Sequence, residues 1–158
     1  MNASNGTVTI LGTGASPTTF SYAPNPNFSG NDSFVAQVSD GSLTDVITVD
    51  LNVTNVNDPP HFTSSPVTDG NQDLTYVYNV TADDVDGNAT LAFSATLKPS
   101  WLNPIVDNGD GTATLSGTPL VAHLGDHNVT LVVSDGNLSV SQSFTITVDD
   151  VNDPPVEQ

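Results

Sequence analysis

Ser39-Asp40-Gly41 and Val56-Asn57-Asp58-Pro59-Pro60 return later in the chain as Ser134-Asp135-Gly136 and Val151-Asn152-Asp153-Pro154-Pro155, both at an offset of 95 residues. The alternating apolar residues around these markers keep the same spacing: Phe34, Ala36 and Val38 correspond to Val129, Leu131 and Val133, and Val49, Leu51 and Val53 to Phe144, Ile146 and Val148. Two turns and two flanking patterns at one offset describe a tandem repeat with a period near 95. Alternation at period 2 is the signature of half-buried strands, and it recurs in Tyr76, Tyr78 and Val80 against Thr75, Val77 and Asn79. Asp40-Gly41, Asn108-Gly109, Asp110-Gly111 and Asp135-Gly136 punctuate these segments as hairpin turns do. No window combines helical periodicity with capping residues. About seven strands in a unit of this size predict an all-β fold of tandem immunoglobulin-like Greek-key sandwiches.

Counting back from the second Pro-Pro pair places a complete unit over 61–155, leaving 156–158 as the start of a following linker. The unit ending at Pro60 should then begin about 35 residues ahead of Met1, so residues 1–60 read as the C-terminal part of a repeat, truncated at its front. Half a sandwich exposes sheet edges, which implies completion by a strand from elsewhere or by another copy.

Composition narrows the function classes. The 158 residues carry 18 acidic side chains, one lysine, no arginine and no cysteine, for a formal charge of −17. A single cation, Lys98, cannot meet a phosphate backbone, so nucleic acid is excluded as a partner, and anionic membrane surfaces with it. No run of 18 apolar residues exists to insert directly into a bilayer. Without cysteine there is no disulfide framework and no thiol chemistry.

Three acidic segments stand out because the predicted fold would bring them together: Asn55-Val56-Asn57-Asp58 in the linker, Asp83-Asp84-Val85-Asp86-Gly87-Asn88, and Asp135. Carboxylates, carboxamides and backbone carbonyls without Cys or His are the ligand set of a hard divalent cation such as Ca²⁺. The paired prolines hold the linker extended and leave its carbonyls free.

Thr81-Ala82-Asp83-Asp84-Val85-Asp86-Gly87 resembles the DxD segment of cadherin repeats, Val132-Val133-Ser134-Asp135-Gly136 their AxDxG segment, and Asp150-Val151-Asn152-Asp153-Pro154-Pro155 their DxNDNAP linker. Pro99-Ser100-Trp101-Leu102 with Thr114-Leu115-Ser116-Gly117-Thr118-Pro119 is similar to the dystroglycan-type cadherin-like variants of large bacterial and archaeal surface proteins. Tyr22 to Phe34 resembles the C-terminal half of another such repeat. The resemblance implies an inter-repeat Ca²⁺ site built from Asn55, Asn57, Asp58, Asp84, Asp86, Asn88 and Asp135, with a second, weaker set in Asp150, Asn152 and Asp153. The family's first linker carboxylate is Asn55 here and no DRE motif occurs, so one or two ions are expected in place of three. It further implies an extracellular or cell-surface location, neighbouring repeats of one parent protein as partners, and a metal-stiffened spacer or adhesive segment, not an enzyme.

Other chemistries fit less well. Placing Gly87 or Gly111 at the glycine of an EF-hand loop puts Ala82 or Val106 first and Phe93 or Gly117 last, which fails. His61, His123 and His127 lie in separate segments with no cysteine to complete a zinc set. No Ser-His-Asp order sits in an elbow. Trp101 reads as a core residue on a middle strand; the alternative is a stacking platform for glycan rings with Tyr76 or Tyr78, which would make the chain a carbohydrate-binding module of a secreted polysaccharide-interacting protein. Asn-X-Ser/Thr sequons are dense, and those at Asn79, Asn88, Asn128 and Asn137 are candidate glycosylation sites of the second unit.

Overall fold

The computed structural model describes residues 3–11, 19–87 and 90–151. The chain divides into two compact units between Val56 and Asn57.

The first unit holds two antiparallel hairpins, β1 (Gly6–Leu11) with β2 (Thr19–Pro24) and β3 (Gly30–Ser39) with β4 (Thr44–Val53). The Phe20 and Phe34 rings meet edge to face, centroids 5.0 Å apart. Asp32 is buried and fully engaged: its carboxylate accepts from the Tyr22 hydroxyl at 2.7 Å and from the amides of Asn5, Ser33 and Ser4. Burial alone would raise this carboxyl; the Tyr22 hydroxyl and the three amides outweigh it and hold it below the usual aspartate range.

The second unit contains β5 (His61–Phe62), β6 (Asp69–Asn71), β7 (Tyr76–Asp83), β8 (Ala92–Leu97), β9 (Val106–Asp107), β10 (Thr112–Gly117), β11 (Gly125–Ser134) and β12 (Ser139–Asp149). One sheet runs β5-β7-β10-β9 and the other β6-β12-β11-β8. Every pairing is antiparallel except β6 with β12. The expected seven strands become eight because the first edge strand changes sheets between β5 and β6. Pro66 lies in that crossing and has no N–H to continue a ladder. Side chains hold the crossing in place: the Tyr76 hydroxyl donates to the Val67 carbonyl at 2.7 Å, and Gln142 donates to that of Ser64 at 3.0 Å.

The core follows from the period-2 pattern. Tyr76, Tyr78 and Val80 point inward from β7, Leu115 from β10, Val129, Leu131 and Val133 from β11, and Ile146 and Val148 from β12, all buried. Burying each such side chain contributes about 1.5–3 kcal/mol. Trp101 joins this core from a turn, not from a middle strand, and its ring meets those of Tyr76 and His127 edge to face at 5.7 and 5.8 Å. The turn packs so tightly on β10 that a Cβ on Gly117 would lie 2.3 Å from the Trp101 carbonyl oxygen. Lys98, the sole lysine, donates to the Leu102 carbonyl at 2.6 Å and steadies the same turn.

Candidate metal centre

Within the second unit, three of the acidic segments converge at one end of the sandwich through a continuous chain of hydrogen bonds. β7 ends at Asp83, whose carboxylate accepts from the Asp84 amide at 2.8 Å. Asp84 turns the chain in the same way, its Oδ1 accepting from the Asp86 amide at 2.8 Å, and Gly87 completes the turn at φ 69°, where a side chain would be strained. Asp86 Oδ2 accepts from the Asp58 amide at 2.9 Å, which fastens the segment entering the unit to this loop. One residue earlier, Asn57 Nδ2 donates to Asp135 Oδ2 at 2.8 Å and to the Asp58 carbonyl at 3.1 Å.

Asp135 sits in the β11–β12 turn because of its neighbours: its Oδ1 accepts from the amides of Asn137 and Leu138, both at 2.6 Å, and Gly136 takes φ 96°. The Leu138 amide first, then the Asn57 carboxamide and the Asn137 amide, keep the Asp135 carboxyl ionised below the ordinary range. Asn137 Nδ2 also reaches Asn57 Oδ1 at 3.4 Å. Asn137 entered the sequence reading only as a sequon, and Asp83 only as part of an acidic segment, not among the individual ligands. Their positions beside Asp135 and Asp84 in Asp-rich turns were the available signal.

Asp84 is the exception to this satisfaction. It is 8% exposed, and its Oδ2 has no hydrogen-bond partner among the described residues. A buried, unpaired carboxylate oxygen is costly and calls for a counter-group. A cleft of about 270 Å³ lined by Asp83, Asp84, Gly87, Asp110 and Gly111 opens beside it.

Asn57, Asp58, Asp84, Asp86 and Asp135 are therefore brought together. Asn55 lies exposed in the first unit, after β4, and Asp150 is exposed just after β12. Asn88, Asn152 and Asp153 fall outside the described residues. Among the described residues, no three carboxylates or imidazoles stand close enough to hold a metal by themselves. The donor chemistry fits a hard cation, all oxygen with one orphaned carboxylate, whereas a closed all-carboxylate cage is not formed.

The sugar platform is corrected by burial: Trp101, Tyr76 and Tyr78 are 8%, 4% and 1% exposed, so none offers a ring face to a glycan. Burial, with a smaller contribution from Tyr78, pushes the Tyr76 hydroxyl well up. His123 and His127 do approach, rings 6.5 Å apart, but His123 Nδ1 accepts from the Leu120 amide and His127 Nε2 is bonded to the His123 carbonyl. Of the candidate sequons, Asn79, Asn128 and Asn137 are exposed; Asn128 Oδ1 accepts from Thr145.

Two sheets with β5-β7-β10-β9 facing β6-β12-β11-β8, joined by an edge strand that changes sheets, define an immunoglobulin-like sandwich of the kind that cadherin repeats share. The comparisons agree. Residues 59–149 match the family described as "Putative Ig domain", and the chain belongs to that family; residues 1–52 match a family described as "Bacterial Ig domain". Among solved structures, an endo-fucoidan hydrolase of glycoside hydrolase family 107, MfFcnA4, is 25% identical with a TM-score of 0.54. That match covers 96% of this chain but 23% of the hydrolase. Human protocadherin-24 EC1-2 is 17% identical with a TM-score of 0.56, covering 95% of this chain and 83% of the protocadherin, a likeness of fold. No curated relative matches the chain. Among the described residues no helix is long and apolar enough to cross a membrane.

Proposed function

We propose that the chain is a Ca²⁺-binding structural or adhesive repeat segment of a larger extracellular or cell-surface protein. The observation that carries this reading is Asp84: a residue more than nine-tenths buried, with one carboxylate oxygen lacking a hydrogen-bond partner among the described residues, on the loop whose Asp86 accepts from the Asp58 amide, while Asn57 next to it reaches Asp135. Asp84, Asp86 and Asp135 would supply carboxylates, and Asn57 and Asp58 further oxygens. Carboxylates about 5 Å apart repel by roughly 1 to 3 kcal/mol per pair between bulk-water and protein-surface dielectrics, and a divalent cation reverses that sign. Because Asn57 and Asp58 belong to the segment that enters the unit, binding there stiffens the chain at its entry.

Calorimetric titration with Ca²⁺ beside Mg²⁺ tests the reading, together with thermal melts of the Asp84→Ala/Asp86→Ala chain. Ca²⁺-selective heat and a melting temperature that rises with Ca²⁺ in the parent, but not in the variant, are expected. An equal response in both overturns it.

The likeness to a fucoidan hydrolase favours a second setting, a sandwich module carried by a polysaccharide-active protein. With Trp101, Tyr76 and Tyr78 in the core, such a module would act as a spacer and not as the sugar reader. Trp101 emission that shifts on adding sulfated fucan oligosaccharide would contradict this.

A further inference from the structure

Asp84 lines a cleft that the entering segment does not share. The space of about 270 Å³ beside it lies between the end of β7 and the β9–β10 turn, and its carboxylate residues are Asp83, Asp84 and Asp110. Neither Asp58 nor Asp86 nor Asp135 lines it. In the sequence Asp110 is no more than the acid of an Asp-Gly turn; the fold sets it beside the buried Asp84.

The β9–β10 turn is fastened to β7 by its backbone. β10 pairs with β7 from Thr112↔Thr81 onward, and one residue earlier the Gly111 carbonyl accepts from the Ala82 amide at 3.0 Å. Asp110 Oδ1 accepts from the Thr112 hydroxyl at 2.6 Å and from the Thr112 amide at 3.1 Å, which leaves Oδ2 without a hydrogen bond among the described residues. The Thr112 hydroxyl first, and then its amide, outweigh burial and keep the Asp110 carboxyl ionised below the ordinary range. Asp83 is arranged alike, with Oδ1 on the Asp84 amide and Oδ2 without a hydrogen bond among the described residues. Gly87 and Gly109 also line the cleft, and a Cβ on either would meet nothing within 4 Å, so the space beside the carboxylates is open.

No basic group of the protein answers this charge. Arginine is absent, and the one lysine is engaged at the Leu102 carbonyl. His61 stands opposite Asp83 in the β5–β7 ladder but does not line the cleft. A buried carboxylate oxygen without a donor, with two further carboxylates beside it, calls for a cation from solution.

We infer that Asp84, Asp83 and Asp110 hold a divalent cation in this cleft, within the second unit and apart from its entry. The inference rests on the reading of the chain as a Ca²⁺ binder and assigns the ion that satisfies Asp84. Among the described residues no three carboxylates stand close enough to hold a metal by themselves, so the ion keeps part of its water. Asp84 Oδ2 is its direct ligand, and the free oxygens of Asp83 and Asp110 accept from the bound water, for which the cleft has room. Asn57, Asp58, Asp86 and Asp135 remain for an ion at the entry. A cation in the cleft ties the β9–β10 turn to the loop after β7 and so stiffens the unit itself, where one at the entry stiffens the linker.

The test follows Ca²⁺ titration of the full chain by amide chemical shifts beside calorimetry. In the parent, Ca²⁺ should move the amides of Gly109, Asp110 and Gly111 together with that of Asp84. Asp110→Asn, which keeps an acceptor for Thr112, should weaken binding read at these amides about 10-fold, and Asp83→Asn with Asp110→Asn about 100-fold. Asp83→Asn alone gives the same reading without touching the β9–β10 turn. Asp126→Asn, at the opposite end of β11, should bind as the parent does. A parent that binds Ca²⁺ while Gly109–Gly111 stay unmoved overturns the cleft site and leaves the entry site standing, as does equal binding with both Asp83 and Asp110 neutralised. A parent with no Ca²⁺ response overturns the Ca²⁺ reading itself, and the cleft site with it.

Discussion

Asn57 Nδ2 donates to Asp135 Oδ2 at 2.8 Å across 78 residues of sequence. The bond ties the segment that enters the second unit to the far hairpin turn, and it sets a neutral carboxamide against the Asp135 carboxylate. Asn57→Asp replaces that donor with a carboxylate of the same shape facing Asp135. Without metal the variant should melt below the parent, the difference shrinking as salt is added. With Ca²⁺ it should recover more than the parent gains. Melting curves in chelator and in millimolar Ca²⁺ read both, and a variant unaffected in chelator would mean that Asn57 and Asp135 do not meet in solution.

Val133 and Val38 occupy one register in equivalent ladders but differ in cover. Val133→Ala removes two fully buried methyl groups and leaves a void, which should cost about 2 kcal/mol. Val38→Ala trims a side chain already facing solvent and should cost less than about 0.5 kcal/mol. Denaturant unfolding by far-UV ellipticity compares them directly. Equal costs would show that Val38 is covered in solution.

The strands were legible because their residues alternate: Tyr76-Val77-Tyr78-Asn79-Val80 predicts its own burial pattern, and the shared spacing of Ser39-Asp40-Gly41 and Ser134-Asp135-Gly136 predicts two hairpins of identical register. The sheet switch was not legible, since Pro66 marks an interruption without saying that the chain resumes beside β12 in parallel. Trp101 was placed correctly in the core but on the wrong element, because an apolar ring is buried as well by a tight turn as by a strand. At the acidic end, residue types announced an oxygen-rich cluster. Which oxygens remain unsatisfied depends on turn geometry: Asp135 has both oxygens engaged and Asp84 only one. Composition is blind to that difference.

Tyr22 and Asp32 give the first unit a pH dependence of its own. Burial first, and then the bond to Asp32, push the Tyr22 hydroxyl up to about 12 from an ordinary 10.0, while Asp32 is held below an ordinary 3.8. The Asp32 contribution is in place above the unfolded-chain value and is lost as pH falls through the lower folded one. The Tyr22 contribution is in place below pH 10 and is lost as pH rises toward about 12. Protection of the β3 amides, taken as exchange relative to the intrinsic rate at each pH, should therefore fall below pH 4 and again above pH 10. Asp32→Asn should abolish the acid limb, and an acid limb that survives would assign it to another carboxylate.

Gly117 separates close packing from backbone conformation as the reason for a glycine. Its Cβ would lie 2.3 Å from the Trp101 oxygen and 2.8 Å from Leu102 Cα, both backbone atoms held by the Leu102↔Gly117 bridge. Gly136, by contrast, has nothing within 4 Å but sits at φ +96°. Gly117→Ala must therefore push the Trp101 turn off β10, at a cost of about 3 kcal/mol or more. Gly136→Ala pays only local strain, about 1–2 kcal/mol. Because Trp101 is the sole tryptophan, its emission distinguishes the two. It should shift to the red in Gly117→Ala as the indole meets water, and stay unchanged in Gly136→Ala despite the lower melting temperature. The opposite pattern would mean that the Trp101 turn is not seated on β10, and that the core is closed from that side by something other than the Trp101 ring.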